Sequence, residues 1–212
     1  MSSIIFDLGS GNTLKDEMTA IKLIDAVKKA DTGKHTVTLK AQLFESAPPN
    51  IPLDHHIFLV ARAYAWTMGY NLTSSVFDRN SLSFLLSCDT EKNPLPFVKV
   101  ACRPDLYWLI GEVPRRIRVY FSFQSDKGIY PDDELWGCNV VSMCCVPEYP
   151  ADIDDYPYNT NGCEYSDHTV GLGLWHELKP KVWEKHLCLE RDPNNPDSGP
   201  FALTPDQLSE VL

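Results

Sequence analysis

The sequence predicts an α/β fold, a compact (β/α)8 TIM barrel, from three observations. Strand-like and helix-like segments alternate along the chain, which is typical of a parallel sheet. The strand-like segments number eight, as in a sheet that closes into a barrel. The chain of 212 residues is 43% hydrophobic, enough for one sizeable core. We therefore expect a single barrel domain over residues 1–212, with shortened or missing helices after strands 5 and 6.

The first half of the chain shows the clearest alternation. In the first helical segment, Met18, Ile21, Ile24 and Val27 recur at helical spacing and give one apolar face, and Thr13 precedes them as a candidate N-cap. Strands are predicted at residues 4–8, 36–44, 72–77 and 97–102, and the later helices at residues 53–68, 80–87 and 104–110.

In the second half the helical segments become shorter. Residues 124–137 hold at most one short turn of helix, and residues 147–162, with three prolines, predict an irregular loop. Strands are predicted at residues 117–123, 139–145, 164–168 and 182–187, a short helix at residues 172–178, and a capped final helix at residues 204–212.

Charge and composition exclude several classes of protein. The formal net charge of -10 argues against nucleic acid or an acidic membrane as a partner. The N-terminal segment lacks the features of a signal peptide, and no apolar stretch is long enough to span a bilayer. The seven cysteines include no C-x-x-C pair and indicate reduced thiols. We therefore expect a cytoplasmic protein.

Polar side chains occur at the carboxyl ends of the predicted strands, where barrels place their active sites. Lys40 and Lys99 are each flanked by apolar residues, and a lysine on an interior strand is best placed in the lumen if an anion binds there. The residues at or near such ends are Asp7, Lys40, Gln42, Ser75, Lys99, Ser122, Tyr149, Ser166, His168 and His186.

Two histidines end the last two predicted strands. His168 and His186 would emerge side by side, and two neutral imidazoles can hold a divalent metal while leaving positions open for substrate and water. Ser166 and Lys185 lie beside them and could bind an anion. The alternative is that each histidine is a hydrogen-bonded residue of the core or rim.

Several separated motifs occur in the order found in one known family. They are Lys40-Ala41-Gln42, Lys99-Val100-Ala101-Cys102, Glu148-Tyr149-Pro150, Tyr165-Ser166-Asp167-His168-Thr169-Val170-Gly171, Glu184-Lys185-His186 and Leu203-Thr204-Pro205-Asp206-Gln207-Leu208. This set resembles the N-acetylneuraminate (sialic acid) synthase family over essentially the whole chain. The resemblance implies a transferase that condenses phosphoenolpyruvate with an N-acetylated aldose, such as N-acetylmannosamine, using Mn²⁺ or Mg²⁺ and releasing phosphate.

The resemblance also implies a role for each matching residue. His168 and His186 would be the metal ligands. Asp7 stands where the family has a glutamate that positions water and the sugar. Phosphoenolpyruvate would be held by Lys40, Ser75, Lys99, Ser122 and Ser166, and the sugar would face Gln42, Tyr149 and Asp197.

The sequence also departs from the family. Cys102 and Pro147 replace residues that would contact the phosphate, Pro104 replaces a nearby glutamate, and no segment corresponds to the family's C-terminal antifreeze-like domain. Two alternatives stay open: a non-catalytic barrel acting as a binding or structural subunit, and another synthase that condenses phosphoenolpyruvate with a different aldose. A reduced outer helix layer would leave apolar surface uncovered, which favours a homo-oligomer or association with another chain.

Overall fold

A computed structural model describes residues 1–124, 139–157 and 164–212 and shows a closed barrel of eight parallel strands in chain order. The strands are β1 (Ser3–Asp7), β2 (Thr36–Leu43), β3 (Asn71–Val76), β4 (Val98–Val100), β5 (Val119–Phe123), β6 (Val140–Cys145), β7 (Glu164–Asp167) and β8 (Val182–His186). Because β1 pairs with both β2 and β8, the sheet has no free edge. The predicted (β/α)8 barrel is confirmed.

The helices that alternate with the strands are longest at the start of the chain, with 14 residues in the first, and the last two have five and six residues. They are α1 (Glu17–Ala30), α2 (His55–Thr67), α3 (Arg79–Ser87), α4 (Trp108–Glu112) and α5 (Gly173–Leu178). The predicted cap of α1 is wrong. Asp16, directly before the first helical residue, accepts a hydrogen bond from the Thr19 amide, whereas Thr13 lies too early in the chain to do so.

Three connections differ from regular helices. The predicted helix at residues 104–110 is a 3-10 turn, Pro104–Leu106, followed by α4, and the predicted final helix is a 3-10 turn, Pro205–Glu210. After β6 the described residues contain one 3-10 turn, Ile153–Asp155. Of the segment predicted at residues 124–137 after β5, all but residue 124 lies outside the described residues.

Apolar side chains fill both sides of the barrel wall. A large cluster lies between the strands and the helices, and a small separate cluster fills the lower lumen. In this lower cluster the rings of Phe97 and Tyr120 meet edge to face, with centroids 4.8 Å apart. Its buried members are Ile5, Phe97, Tyr120, Met143 and Val182. No helix in the described part of the chain is long and apolar enough to cross a membrane.

Candidate functional site

A cavity of ≈ 470 Å³ opens above this apolar cluster, and all eight strands contribute residues to its wall. Successive residues of a strand point to opposite faces, so every second residue near a strand's carboxyl end enters the lumen. The wall contains Asp7, Lys40, Gln42, Ser75, Lys99, Ser122, Tyr149, Ser166, His168, His186 and Asp197. The structure therefore brings together every residue proposed from the sequence except Lys185.

The first charged group in the cavity is centred on Lys40. Its buried Nζ donates to Asp7 Oδ2 at 2.6 Å and to Ser75 Oγ at 2.7 Å, while Gln42 donates to the same Asp7 oxygen at 3.0 Å. Burial alone would lower the pKa of Lys40, but Asp7 and Glu184 raise it above its ordinary value. Burial would likewise raise the pKa of Asp7, but Lys40 and His186 lower it. Both side chains are therefore charged at neutral pH.

The second charged group joins Lys99 to Glu184. Lys99 Nζ donates to Ser122 Oγ at 2.7 Å and lies 3.2 Å from Glu184 Oε1. The same Glu184 oxygen accepts from Ser166 Oγ at 2.9 Å and lies 3.8 Å from Lys40 Nζ. Burial would raise the pKa of Glu184, but Lys40 and Lys99 lower it. Glu184 is therefore a carboxylate that bridges the two lysines.

Glu184 belongs to one of the sequence motifs, but no role was predicted for it from the sequence. The signal that could have found it is the alternation along β8, because Glu184 lies two residues before His186 and must share its face. Its Oε2 is buried and has no hydrogen-bond partner among the described residues. One carboxylate oxygen is therefore left for water or a ligand.

The prediction that Lys185 binds substrate is wrong. Lys185 is fully buried on the outer side of β8, where its Nζ lies 3.1 Å from Asp167 Oδ1 and donates to the Thr169 carbonyl at 2.6 Å. Lys185 lies between Glu184 and His186, both of which line the lumen. Strand alternation therefore directs its side chain away from the cavity.

The two histidines present their Nε2 atoms for ligand binding. His168 Nδ1 lies 2.7 Å from the Val146 carbonyl oxygen, and His186 Nδ1 lies 3.1 Å from the Asp197 carbonyl oxygen. A carbonyl only accepts, so each Nδ1 carries a hydrogen, and in the neutral form of each ring the lone pair lies on Nε2. Burial and His186 hold the pKa of His168 well below its ordinary value, so this imidazole is neutral.

This arrangement fits a divalent cation. Metal-binding histidines commonly donate their other ring N–H to a carbonyl, as both do here. The two ring centroids are 5.8 Å apart, and Asp7 Oδ2 lies 3.7 Å from His186 Nε2. Within the described residues, no group of three or more His, Cys, Asp or Glu side chains is placed to hold a metal ion. Two imidazoles would thus leave most positions around the ion to substrate and water.

The residues expected to face the sugar lie in the same wall. Tyr149 is 52% exposed and stacks on His168 with ring centroids 4.0 Å apart. Asp197 accepts hydrogen bonds from the Ser10 amide at 2.7 Å and the Ser10 hydroxyl at 2.6 Å. Gly9, at φ 81°, allows this approach, because a Cβ there would lie 2.8 Å from the Asp197 side chain. Asp197 is therefore fixed by the loop that follows β1.

Two of the residues that depart from the family pattern also line the cavity, namely Cys102 and Pro147. The Cys102 thiol is hydrogen-bonded to the Cys145 thiol, whose pKa it raises. A thiol is a weak donor and proline has none, so this part of the wall offers little to an anion. Arg103, which also lines the cavity, is the cation nearest to Cys102 in the sequence.

Comparison with known proteins gives structural matches only. No protein-family model matches the sequence, and no curated protein is significantly similar to it. An N-acetylneuraminic acid (sialic acid) synthetase from Leptospira borgpetersenii, in complex with citrate, matches with a TM-score of 0.75 and 18% identity, over 98% of this chain and 80% of that one. A putative spore coat polysaccharide biosynthesis protein E from Chromobacterium violaceum matches with a TM-score of 0.76 and 17% identity, over 99% of this chain and 72% of that one.

A third match is more distant. A truncated 3-deoxy-D-arabino-heptulosonate 7-phosphate synthase from Thermotoga maritima matches with a TM-score of 0.64 and 10% identity, over 99% of this chain and 83% of that one. At such identities these similarities show a shared barrel fold. The resemblance to sialic acid synthases is thus supported at the level of the fold.

Proposed function

We propose that this chain is a metal-dependent synthase that condenses phosphoenolpyruvate with an N-acetylated aldose, such as N-acetylmannosamine, to give a sialic-acid-type sugar acid and phosphate. The observation that carries the proposal is the convergence of two buried lysines, Lys40 and Lys99, with two histidines presenting Nε2 in one cavity. The names of the matching structures, which include two synthases that make sugar acids, support the same reaction class.

The charges in the cavity indicate how the substrates would bind. Lys40 and Lys99 face Asp7 and Glu184, so these four groups carry no net positive charge. An anion as highly charged as phosphoenolpyruvate would therefore bind weakly until a divalent cation adds positive charge at His168 and His186. We infer that the cation and phosphoenolpyruvate bind together.

The residues of the cavity suit the steps of this reaction. A divalent cation, Mn²⁺ or Mg²⁺, held by His168 and His186 would polarise the aldehyde oxygen of the open-chain sugar. The methylene carbon of phosphoenolpyruvate would attack the aldehyde carbon, and the aldehyde oxygen would take up a proton. Water would add to the neighbouring carbon and release a proton, and the bond from that carbon to the phosphate oxygen would break so that phosphate leaves. Lys40 and Lys99 would neutralise the departing phosphate, and ionised Asp7 would orient the water. Gln42, Tyr149 and Asp197 would contact the sugar.

The test is release of inorganic phosphate from phosphoenolpyruvate in the presence of Mn²⁺ and N-acetylmannosamine, with each component omitted in turn. The proposal expects release only when all three are present and its loss in His186→Ala. Release that does not depend on the aldose, or that persists in His186→Ala, contradicts the proposal.

The non-catalytic alternative is favoured by one observation, the presence of Cys102 and Pro147 in the cavity wall. It expects no phosphate release with any aldose, and absence of calorimetric binding of phosphoenolpyruvate with Mn²⁺ would favour it further. The other alternative is a synthase for a different aldose, and if that aldose is phosphorylated, Arg103 would bind its phosphate. It expects release with a sugar phosphate and none with N-acetylmannosamine.

We also propose that the chain associates with a second copy or with another protein. Large apolar side chains remain exposed on the described surface, at Met18, Ile51, Leu59, Trp66, Trp108 and Val170. Light scattering on the purified chain would give the mass of a dimer or larger assembly. A monomer would leave a different protein as the partner.

A further inference from the structure

A buried ion pair lies directly behind the two histidines. The register between β7 and β8 places Asp167 opposite Lys185, and their charged groups are 3.1 Å apart with both side chains 0% exposed. Asp167 immediately precedes His168, and Lys185 immediately precedes His186. The ion pair faces the outer side of the barrel wall, whereas both imidazoles face the cavity.

The pair also fixes the backbone on the far side of His168. Asp167 Oδ1 accepts from the Thr169 amide at 2.7 Å and from the Thr169 hydroxyl at 2.8 Å, and Lys185 donates to the Thr169 carbonyl. The indole of Trp183, on β8, donates to Asp167 Oδ2 at 2.9 Å. The residues on both sides of His168 are therefore held by one buried network that spans the two strands.

A second pair across the same two strands lies one residue earlier on each strand and faces the lumen. Ser166 pairs with Glu184 in the register, and its hydroxyl donates to the Glu184 carboxylate at 2.9 Å. The ends of β7 and β8 are thus joined on both faces just before the chain reaches the histidines. A shift between the two strands would break both pairs.

Stability alone does not explain a buried ion pair at this position. Removing two charges from water is costly, and an apolar pair of similar volume often stabilises a fold equally well. The particular consequence of a charged, multiply hydrogen-bonded pair is a single relative placement of the two strands. That placement determines the separation and orientation of the imidazoles that follow.

We propose that Asp167 and Lys185 are positioning residues that set the geometry of His168 and His186 and thereby the affinity of the cavity for a divalent cation. The inference rests on the proposed function, because it takes the two histidines to be metal ligands. It adds that this affinity depends on two side chains that touch neither the metal nor the substrate.

The test is calorimetric titration of Mn²⁺ into the full chain and into two variants. Asp167→Asn alone would leave Lys185 buried without a counter-charge, so the test variant combines Asp167→Asn with Lys185→Met. The matched control is Arg62→Met. Arg62 is another buried cation held by backbone carbonyls, and it lies on α2, on the far side of the barrel.

We expect the double variant to bind Mn²⁺ about tenfold or more weakly, in the range seen when groups that orient metal ligands are removed, and Arg62→Met to bind like the wild type. A second readout needs no metal. The imidazole ¹⁵N signals of His168 and His186 should shift in the metal-free double variant, whereas those of His55 and His56 on the surface should not.

Two outcomes would overturn the inference. A folded double variant with wild-type Mn²⁺ affinity and unshifted imidazole signals would show that the pair is structural only. A wild-type chain that binds no Mn²⁺ would instead overturn the proposed metal site, and this inference with it. The two failures are distinguishable because the first requires a wild-type chain that binds the ion.

Discussion

The lower and upper layers of the barrel lumen differ in chemistry although the same strands build both. The lower layer is the apolar cluster of Ile5, Phe97, Tyr120, Met143 and Val182. Two residues further along each of these strands, the wall carries Asp7, Lys99, Ser122, Cys145 and Glu184. A step of two residues along each strand therefore leads from an apolar, packed layer to a charged one.

The difference shows how the chain can bury four charges in its interior. The apolar layer closes the lumen below the cavity, which lowers the local dielectric constant and strengthens the attraction between each lysine and its carboxylate. Packing and binding are thus assigned to separate layers. Substitutions in the lower layer should change stability, and substitutions in the upper layer should change binding and catalysis.

The largest effect is expected from the lower layer. Phe97→Ala should reduce the free energy of unfolding by about 3–5 kcal/mol, because it leaves a cavity beneath Tyr120 in a packed region. Urea denaturation measures the change, and Mn²⁺ affinity at low temperature should stay the same. Lys92→Ala, at an exposed position, is the control with a small expected effect. A loss below about 1 kcal/mol in Phe97→Ala would contradict the separation of layers.

In the upper layer, Lys99→Met should lower the rate of phosphate release by a factor of about 10²–10³. Methionine keeps much of the length of the side chain but removes the charge beside the leaving phosphate, and Glu184 keeps Lys40 as a partner. Steady-state phosphate assays measure the effect. Lys181→Met, at an exposed position before β8, is the control. An unchanged rate would remove Lys99 from the proposed mechanism.

Glu184→Gln should strengthen binding of phosphoenolpyruvate to the metal-free protein by about tenfold, or ~1.4 kcal/mol. The substitution removes the negative charge that lies between Lys40 and Lys99, so the anion meets less repulsion. Calorimetry in the presence of a chelator tests this, with Glu112→Gln on the surface as the control. Weaker binding would show that Glu184 mainly holds the lysines in place.

The smallest effect is expected at the amino end of the barrel, below both layers. Burial and Lys34 lower the pKa of His35, which packs edge-on against Trp175. As the pH falls through the ordinary histidine value of 6.5, the unfolded chain takes up a proton that folded His35 resists, so stability falls. His35→Gln should make the dependence of the free energy of unfolding on pH shallower. An unchanged slope in denaturation curves from pH 8 to pH 5 would contradict it.

The fold and most of the site could be predicted from the sequence because both depend on short-range patterns. The alternation of strand-like and helix-like segments predicted the number of strands, and the polar residues near the strand ends predicted which side chains line the cavity. Thr13 and Lys185 show where this reasoning fails. A cap depends on the exact first residue of the helix, and a side chain at a strand end depends on which face it occupies. For Lys185, an error of one residue reverses the face of the strand, and for the cap an error of three residues separates Thr13 from Asp16.

The sequence by itself determined the barrel, its order of strands and the placement of Lys40, Lys99, His168 and His186 near one end, because periodicity and spacing are local properties. Only the tertiary structure decided which side chains meet across strands. Glu184 bridges lysines on distant strands, and Asp167 pairs with Lys185 on the neighbouring strand. Both contacts depend on the register of the closed sheet. That register is set by the packing of the whole chain and cannot be read from any one segment.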